Sequence, residues 1–325
     1  MGLKRLTVLL LCLLLCGCGA RTPTAPAAPP DAGAPPTGTW PLTVTDDMGR
    51  QVTLEAPPQR VAALVASFAE TWLLAGGTLS AAVHDAWEDY DLDLGGEVRD
   101  LGRIQDLSTE LIFDSEADLV IASSKTKSHV ELRDTLEQAK IPVLYFSVDG
   151  LEDYLRMLRI CCEITGRSDL YEKNGLAVKA QVDEIVAEAQ MTRGAQDAPR
   201  VLLLRIAAAG IHAKGSKGTV LGLMLADLGC ENIADGSDLL EDLSIERIIE
   251  ADPDRIFIVQ QGNDAAGAEK ALREALSGNP AWEGLTAVKE GRVYYMDRSL
   301  YHFKPNNRWG TAYAELEAIL YKQNA

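Results

Sequence analysis

The sequence is poor in the residues that build metal centres, nucleic-acid surfaces and catalytic sites. Only four histidines occur among 325 residues, and no H-E-x-x-H, G-x-S-x-G or G-x-x-x-x-G-K-S/T motif is present. The 31 lysines and arginines are outnumbered by 48 aspartates and glutamates, which leaves a net charge of −17. Because such a charge repels phosphates, the chain is expected not to bind nucleic acid. No set of acid, base and nucleophile indicates an enzyme.

Cysteines and long apolar runs are also scarce outside the N-terminal segment. Of the six cysteines, only Cys161, Cys162 and Cys230 lie beyond that segment. An odd number without regular spacing indicates neither a disulfide framework nor a structural zinc site. No later apolar run reaches about 18 residues, so no other part of the chain is expected to span a membrane.

The N-terminal segment has the parts of a secretory signal. Lys4 and Arg5 precede an apolar run over residues 6–16, which is too short to span a bilayer as a helix. The run ends in Leu-Cys-Gly-Cys, which resembles a bacterial lipoprotein cleavage site. The resemblance implies that residues 1–17 are a signal peptide and that Cys18 carries lipid. An ordinary secretory signal with a chance cysteine is the alternative.

The segment after Cys18 is rich in alanine, proline, threonine and glycine and has no large apolar side chain. Such a stretch cannot bury enough surface to offset the entropy of ordering it. We therefore predict a tether over residues 18–39 that begins with the lipidated cysteine. This anchor would hold the folded part, residues 40–325, at the outer face of the cytoplasmic membrane.

Residues 40–325 alternate between short strand-like patterns and helix-like patterns. A predicted hairpin over residues 41–54 comes first, and Ser67 and Glu70 then fit a capping box at the first helix. The later predicted strands are residues 61–66, 81–84, 118–123, 142–146, 201–206, 255–260 and 292–296. The predicted helices are residues 67–74, 108–113, 130–139, 151–164, 168–191, 219–228, 245–250, 265–276 and 309–321. This alternation is typical of an α/β fold with parallel sheets covered on both faces.

The longest predicted helix can bridge two lobes. Apolar residues recur at i, i+4, i+7, i+8 and i+11 from Val178, which places them on one helix face. At about 1.5 Å per residue the helix is on the order of 35 Å long. We predict an N-terminal lobe over residues 40–167, a bridging helix over residues 168–192 and a C-terminal lobe over residues 193–325.

Two stretches of the sequence echo each other. The segments DLSTE at residues 106–110 and DLSIE at residues 242–246 differ at one position. Each is followed at the same distance by an aspartate, Asp118 after the first segment and Asp254 after the second. Self-similarity at matching places predicts two lobes of like fold. The alternative is a recurrent helix start, because serine as N-cap and glutamate in the first turn are favoured at any helix.

Short motifs in order along residues 42–322 resemble those of the iron-siderophore and vitamin B12 solute-binding proteins of ABC importers. They are VTDDMGR at 44–50, PQRV at 58–61, SFAE at 67–70, ADLVI at 117–121, NIAD at 232–235, SIE at 244–246, DPD at 252–254 and NPAW at 279–282. The resemblance implies two α/β lobes joined by one long helix, with the ligand in the cleft between the lobes. It also implies delivery of a small-molecule metal complex to a permease dimer with its ATPase. We expect a monomer that needs no cofactor.

The family resemblance implies a docking role for two glutamates. In the family a glutamate on each lobe docks into basic pockets of the permease, and these positions fall on Glu110 and Glu246. Two carboxylates on equivalent surfaces would suit a two-fold symmetric partner. The alternative is that both side chains only favour the N-termini of their helices.

The cleft of such a fold should be lined by loops at the carboxyl ends of strands. Basic side chains there would suit an anionic ferric complex, and aromatic rings could stack on a flat ligand. The candidate ligand-binding residues are Ser67, Phe68, Trp87, Tyr90, Lys125, Lys127, Lys214, Lys217, Arg298, Tyr301, His302 and Arg308. The alternatives are plain helix capping, packing and solvated loop charge. The loop from Arg298 to Arg308 is the strongest candidate, because it is dense in polar and aromatic groups.

Several ligands remain open from the sequence. A ferric siderophore is the first expectation, and haem and cobalamin are the alternatives. His302 or His212 could serve as an axial ligand to a haem iron. A bare metal ion is not expected, because the first strand–helix turn offers Ser67 and Phe68 and no histidine. A cell-surface sensor or adhesion module on the same fold is the alternative of a different class.

Overall fold

Most strands of the protein belong to two separate parallel sheets. The structure is a computed structural model that describes residues 40–104, 106–235, 245–276 and 278–322. The strands are β1 (Leu42–Thr45), β2 (Gln51–Leu54), β3 (Val61–Ala63), β4 (Leu79–Ala82), β5 (Arg99–Asp100), β6 (Leu119–Ser123), β7 (Val143–Phe146), β8 (Arg200–Ala207), β9 (Gly210–Lys214), β10 (Glu231–Asn232), β11 (Arg255–Gln260) and β12 (Val293–Met296). The predicted signal peptide, the lipidated Cys18 and the tether lie outside the described residues.

Helices separate most of the strands. They are α1 (Ala66–Leu74), α2 (Asp85–Glu88), α3 (Thr109–Asp114), α4 (Lys127–Glu131), α5 (Arg133–Gln138), α6 (Leu151–Thr165), α7 (Ser168–Tyr171), α8 (Ala177–Arg193), α9 (Val220–Asp227), α10 (Ile245–Ala251), α11 (Ala265–Ala275), α12 (Pro280–Glu283), α13 (Thr286–Lys289), α14 (Arg298–Tyr301) and α15 (Trp309–Glu317). Two π-helical turns, Glu172–Leu176 and Ala318–Lys322, and a 3₁₀ turn, Asn306–Arg308, complete the set. None of the helices that the structure describes is long and apolar enough to cross a membrane.

Each parallel sheet forms the centre of one lobe. In the N-terminal lobe the strand order is β5-β4-β3-β6-β7, and all neighbours are parallel. In the C-terminal lobe β10-β8-β11-β12 are parallel, and β9 runs antiparallel to β8. Every residue of β6 is buried, as expected for a parallel strand with helices on both faces. The predicted α/β class with two sheet-centred lobes is confirmed, and so is the antiparallel β1–β2 hairpin.

One aspartate holds the central strands β3 and β6 of the N-terminal lobe in register. The Asp118 carboxylate accepts hydrogen bonds from the backbone N–H of Arg60, at 3.0 Å, and of the residue before it, at 2.8 Å. The Arg60 guanidinium donates to the carbonyl of Ser115, at 2.7 Å from Nη2. These bonds accompany the pairing of Val61 in β3 with Leu119 in β6.

The C-terminal lobe repeats this arrangement. The Asp254 carboxylate accepts from the backbone N–H of Arg200 at 2.8 Å, and Arg200 Nη1 donates to the carbonyl of Ala251 at 2.6 Å. Val201 in β8 pairs with Arg255 in β11, the same register as in the first lobe. The two aspartates of the sequence echo, Asp118 and Asp254, therefore occupy equivalent positions in the two lobes.

The helix-start interpretation of the echo also holds in part. Ser108 is the N-cap of α3, and its hydroxyl accepts from Leu111 N at 3.3 Å. The corresponding residues 242–244 lie outside the described residues. The echo thus combines a local cap with a long-range strand alignment.

A helical stretch from α7 through the π turn to α8 connects the two lobes. It packs on α15, and a single apolar core passes through both lobes on this side of the sheets. That core contains Leu119 of β6 and Phe257 of β11 together with Val182 of α8 and Tyr313 of α15. Because a close-packed core resists deformation, we expect only small movements between the lobes.

The predicted capping box at the first helix is wrong. The helix α1 already begins at Ala66, so Ser67 lies inside it and is buried, and no side chain caps this end. The Glu70 carboxylate instead accepts from the side-chain amide of Asn306 at 2.6 Å. Asn306 lies 236 positions away, so no local pattern could reveal this partner.

Two other segments differ from the prediction. Residues 210–214, for which no strand was predicted, form β9, because Gly210 at φ 144° lets the chain turn back and pair with β8. The helix predicted over residues 130–139 is divided into α4 and α5 at Leu132.

We predict that Gly77→Ala lowers the free energy of unfolding by about 1–3 kcal/mol, as overpacking typically does. A Cβ at Gly77 would overlap the indole ring of Trp72. That ring is 2% exposed, and its Nε1 donates to the Thr78 carbonyl at 2.8 Å, so it has no room to retreat. Urea denaturation measures the change. Gly96→Ala is the control, because a Cβ there meets no atom within 4 Å; equal losses in both variants would refute the packing argument.

Candidate ligand-binding cleft

A cavity of about 490 Å³ lies between the two lobes. Loops that follow β3, β4 and β5 form its wall on the N-terminal lobe, and loops that follow β11 and β12 form the opposite wall. The lining residues are Val65, Ala66, Ser67, Val83, Asp85, Glu88, Asp89, Tyr90, Arg103, Ile104, Gln261, Gly262, Asn263, Arg298, His302, Phe303 and Lys304. Ligands of open α/β sheets bind at the carboxyl ends of strands, so this cavity is the candidate site.

Basic side chains gather at the C-terminal wall of the cavity. Arg298, His302 and Lys304 line it, and Arg205 of β8 is close enough to act electrostatically on both His302 and Lys304. Within the described part of the chain, neither Arg205 nor Lys304 forms an ion pair, and Arg205 Nε is buried without a hydrogen-bond partner. The wall therefore carries an excess of positive charge.

The imidazole of His302 is neutral at physiological pH. Burial lowers its pKa to about 4, and the charges of Arg205, Arg298 and Lys304 act in the same direction. Its buried Nδ1 has no hydrogen-bond partner among the described residues. Burial also lowers the pKa of Lys304, because an ammonium group is costly to desolvate. An anion in the cavity would offset this cost for Lys304.

The carboxylates of the cavity have partners on its own walls. The Glu88 carboxylate pairs with Arg103 at 2.6 Å, and that of Asp89 pairs with Arg298 at 3.3 Å. Asp85 accepts a hydrogen bond from the backbone N–H of Ile104 at 3.2 Å. Burial raises the pKa of Asp89, while Arg298 opposes this shift. The acids thus do not cancel the positive charge of Arg205 and Lys304.

Tyr90 joins the two lobes across the cavity. Its hydroxyl donates to the Lys304 carbonyl at 3.2 Å and accepts from the Lys304 backbone N–H at 3.1 Å. Its ring stacks on Phe303 with 5.4 Å between centroids and 27° between planes. The face that could stack on a flat ligand is therefore used, at least in part, for contact between the lobes.

Asn306 makes a second contact between the lobes. Its side-chain amide donates to the Ser67 carbonyl at 3.0 Å and to the Glu70 carboxylate at 2.6 Å. Its backbone adopts φ 51°, a left-handed conformation that asparagine tolerates. Nearby, Arg308 contacts the Ser299 hydroxyl at 3.4 Å and does not line the cavity.

The structure brings four of the predicted ligand-binding residues to the cavity, namely Ser67, Tyr90, Arg298 and His302. Ser67 is 3% exposed, so its contribution to the wall is small. All four follow strands of one sheet or the other, in agreement with the argument from strand ends.

Three predicted aromatic residues lie in apolar surroundings instead. Phe68 packs edge-on against Phe146, with 6.2 Å between ring centroids. Trp87 packs against the small apolar cluster that contains Ala86 beneath the cleft loop. The Tyr301 hydroxyl is buried and donates to the carbonyl of Ala312 at 3.0 Å.

The predicted lysines do not line the cavity. Lys125 forms an ion pair with Asp149, while Lys127 is 89% exposed and pairs with Glu131. Lys214 ends β9, and Lys217 is exposed in the following turn. The charge of Lys125 nevertheless acts on the cleft, because it contributes to the lowered pKa of Lys304.

Arg205 was not predicted from the sequence, although its charge acts on His302 and Lys304 in the cleft wall without Arg205 itself lining the cavity. The sequence feature that could have indicated Arg205 is its position as a single charged residue near the carboxyl end of an otherwise apolar strand, VLLLRI at residues 201–206. A buried charge in a core strand rarely occurs without a partner or a ligand. No group of three or more His, Cys, Asp or Glu in the described residues is arranged to hold a metal ion, and His302 is the histidine that lines the cavity.

The two predicted docking glutamates occupy equivalent places on the two lobes. Glu110 is exposed in the first turn of α3, and Glu246 is exposed in the first turn of α10. Each helix directly precedes a central strand, β6 or β11. This placement is compatible with docking and with a purely local role at the helix N-terminus.

Known proteins resemble this chain in sequence and fold. It is 25% identical over 210 residues to the iron-uptake system-binding protein of Bacillus subtilis, and the match covers 63% of each chain, slightly under two-thirds. It is 24% identical over 300 residues to the Fe(3+)-citrate-binding protein of the same organism, covering 90% of this chain and 87% of that one. Its fold is similar to that of the siderophore-binding protein BauB, solved with two acinetobactin molecules and ferric iron, at a TM-score of 0.69 and 21% identity over 88% and 99% of the two chains.

A family match covers most of the folded part. Residues 61–300, which include both parallel sheets and most of the residues that line the cavity, match the family described as periplasmic binding protein. The sequence resemblance and the two-lobed architecture lead to the same assignment. The chain belongs to the periplasmic binding protein family.

Proposed function

We propose that the protein captures an anionic ferric chelate in the cleft and delivers it to an ABC importer, without catalysing a reaction. The observation that carries this proposal is the positive charge of Arg205 and Lys304 beside His302, which no ion pair neutralises among the described residues. The carboxylates of Asp149 and Asp153 act on Lys304 electrostatically, but they pair with Lys125 and Arg156. Hydrogen bonds between such cations and carboxylate oxygens are stronger than neutral ones, at about 1.5–3 kcal/mol each. A chelate rich in carboxylates would supply the missing negative charge.

The comparisons support iron as the cargo. One relative is named for iron uptake and another for binding ferric citrate, and a protein of similar fold was solved with a ferric siderophore complex. A cavity of about 490 Å³ lies within the usual range for small-molecule sites.

Haem is a second candidate because of His302. A neutral imidazole that lines the cavity and whose Nδ1 lacks a partner could coordinate a haem iron. The other histidine considered from the sequence, His212, is exposed on β9 and does not line the cavity. No observation in the cleft specifically favours cobalamin.

The setting proposed for this activity is the outer face of the cytoplasmic membrane. Lipid on Cys18 and the tether that follows it would keep the two lobes near the importer. Glu110 and Glu246, one on each lobe, would enter basic pockets of the permease dimer. A sensor or adhesion module would use the same cleft without this docking.

We predict that Lys304→Gln weakens binding of ferric citrate by roughly 10- to 100-fold, because one charge-assisted contact is lost. Calorimetric titration of the full-length protein in detergent measures the dissociation constant. Lys127→Gln is the matched control, since it removes the same charge from a side chain outside the cavity.

Two results would contradict the proposal. One is binding by Lys304→Gln that equals the wild type, and the other is the absence of wild-type binding to any anionic ferric chelate. A parallel titration with haemin tests the second candidate: tight binding that His302→Gln abolishes, together with a changed haem absorption spectrum, would favour haem over the chelate.

We predict that Glu110→Arg combined with Glu246→Arg abolishes uptake of the iron complex while its affinity in solution is unchanged. Each substitution would place like charges together in a basic docking pocket. Uptake of radioactive iron by cells that carry the importer measures the first property, and titration measures the second.

The control for docking is Glu131→Arg combined with Glu274→Arg, which changes the net charge equally at exposed positions, one on each lobe. Normal transport by the control is expected. Normal transport by the Glu110 and Glu246 double variant would exclude the docking role.

A further inference from the structure

A second polar cavity lies at the edge of the C-terminal sheet opposite the ligand cleft. Its volume is about 280 Å³. Pro199, which leads into β8, and Arg255, which begins β11, place it at the amino ends of these strands. Arg193 at the end of α8 and Tyr321 in the last helical turn close its sides. The ligand cleft, by contrast, lies beyond the carboxyl ends of the strands.

One wall of this cavity is a buried arginine. Arg255 is 6% exposed, and its Nη2 donates to the Leu320 carbonyl at 3.0 Å. Its Nε is buried and has no hydrogen-bond partner within the described ranges. The contact with Leu320 gives Nη2 a role in capping the last helix, and it leaves the buried Nε without a protein acceptor among the described residues.

A second guanidinium shares the cavity. Arg193 lies beside Gly229, where an added Cβ would be 3.5 Å from its Cζ, and its Nε has no hydrogen-bond partner among the residues that the structure describes. Neither Arg193 nor Arg255 forms an ion pair with a carboxylate in the described part of the chain. Burial raises the pKa of the nearby Cys230 thiol to about 12, and the charges of Arg255 and Arg193 both oppose that shift. Both guanidinium groups are therefore close enough to Cys230 to act on it electrostatically.

The carboxylates around this cavity form no ion pair with either arginine in the described part of the chain. Asp197 is exposed at the rim, and the Asp254 carboxylate accepts from the backbone N–H of Arg200. The buried Glu317 pairs with Lys322 at 2.7 Å through Oε2, while its Oε1 has no hydrogen-bond partner among the described residues. Two like charges that line one cavity repel each other, and the lack of an ion-pair partner leaves this repulsion uncompensated. An anion between the two guanidiniums would offset both effects.

We propose that this cavity binds a small oxyanion, of the phosphate or carboxylate class, between Arg193 and Arg255. Guanidinium groups bind such oxygens with paired hydrogen bonds, and Thr192 and Gln196 at the rim offer further donors. A bound oxyanion would tie the end of the bridging helix α8 to the start of β11. The site is separate from the cleft and would stabilise the C-terminal lobe whether or not a chelate is bound.

The test is a titration of the full-length protein with inorganic phosphate and, separately, with acetate, followed by calorimetry and thermal unfolding. At least one of the two anions is expected to bind and to raise Tm with increasing concentration. Arg193→Gln should weaken this binding at least tenfold. Arg273→Gln is the matched control, because it removes the same charge from an exposed side chain paired with Glu269 on the same lobe.

Phosphate could also bind the basic wall of the cleft, so the titration is repeated in the Lys304→Gln background, where the anion binding that depends on Arg193 must persist. Arg255→Lys, which keeps the charge and loses the paired geometry, should weaken binding without unfolding the lobe. The proposal is overturned if neither anion binds, if Arg193→Gln binds as the wild type does, or if Lys304→Gln removes the binding. A loss of stability in Arg193→Gln without any effect of the anions would mean that these arginines only cap helices.

Discussion

The alignment of each lobe depends on one aspartate that directly precedes a buried strand. Asp118 and Asp254 each bind the backbone N–H of an arginine at the start of the neighbouring strand, and that arginine binds a carbonyl three residues before the aspartate. A slip of one residue would turn every side chain of these strands to the opposite face of the sheet. These hydrogen bonds hold the amino ends of the strands in register. They therefore also determine the positions of the carboxyl ends of the strands and of the cleft loops that follow them.

The two lobes are connected by more than the bridging helix. One apolar core passes from β6 to β11 along α8 and α15, and Tyr90 and Asn306 make hydrogen bonds across the cleft. A close-packed core of this kind changes shape little, so the cavity is largely formed before a ligand arrives. The selectivity of such a preformed cavity rests on the charges of its walls more than on closure.

Charge in this protein is distributed unevenly. The chain has a net charge of −17, yet basic side chains that form no ion pair among the described residues gather at both edges of the C-terminal sheet, Arg205 and Lys304 at one edge and Arg193 and Arg255 at the other. Surface acids keep such a protein soluble and are screened by salt, whereas buried cations are screened far less. The overall charge therefore says little about what either cavity binds.

The sequence by itself determined the two-lobed α/β class, most of the strands and helices in their order, and the cap at Ser108. Ser108 acts within one turn of its partner Leu111, so a local pattern suffices to find it. The sequence also pointed to Tyr90, Arg298 and His302, because each follows a strand end. Only the tertiary structure decided that Ser67 accepts from Asn306, that Tyr90 binds the backbone of Lys304 and that Arg205 lies beside His302. These contacts join residues of different loops and lobes, and their charges meet only after the chain has folded, so no local spacing encodes them.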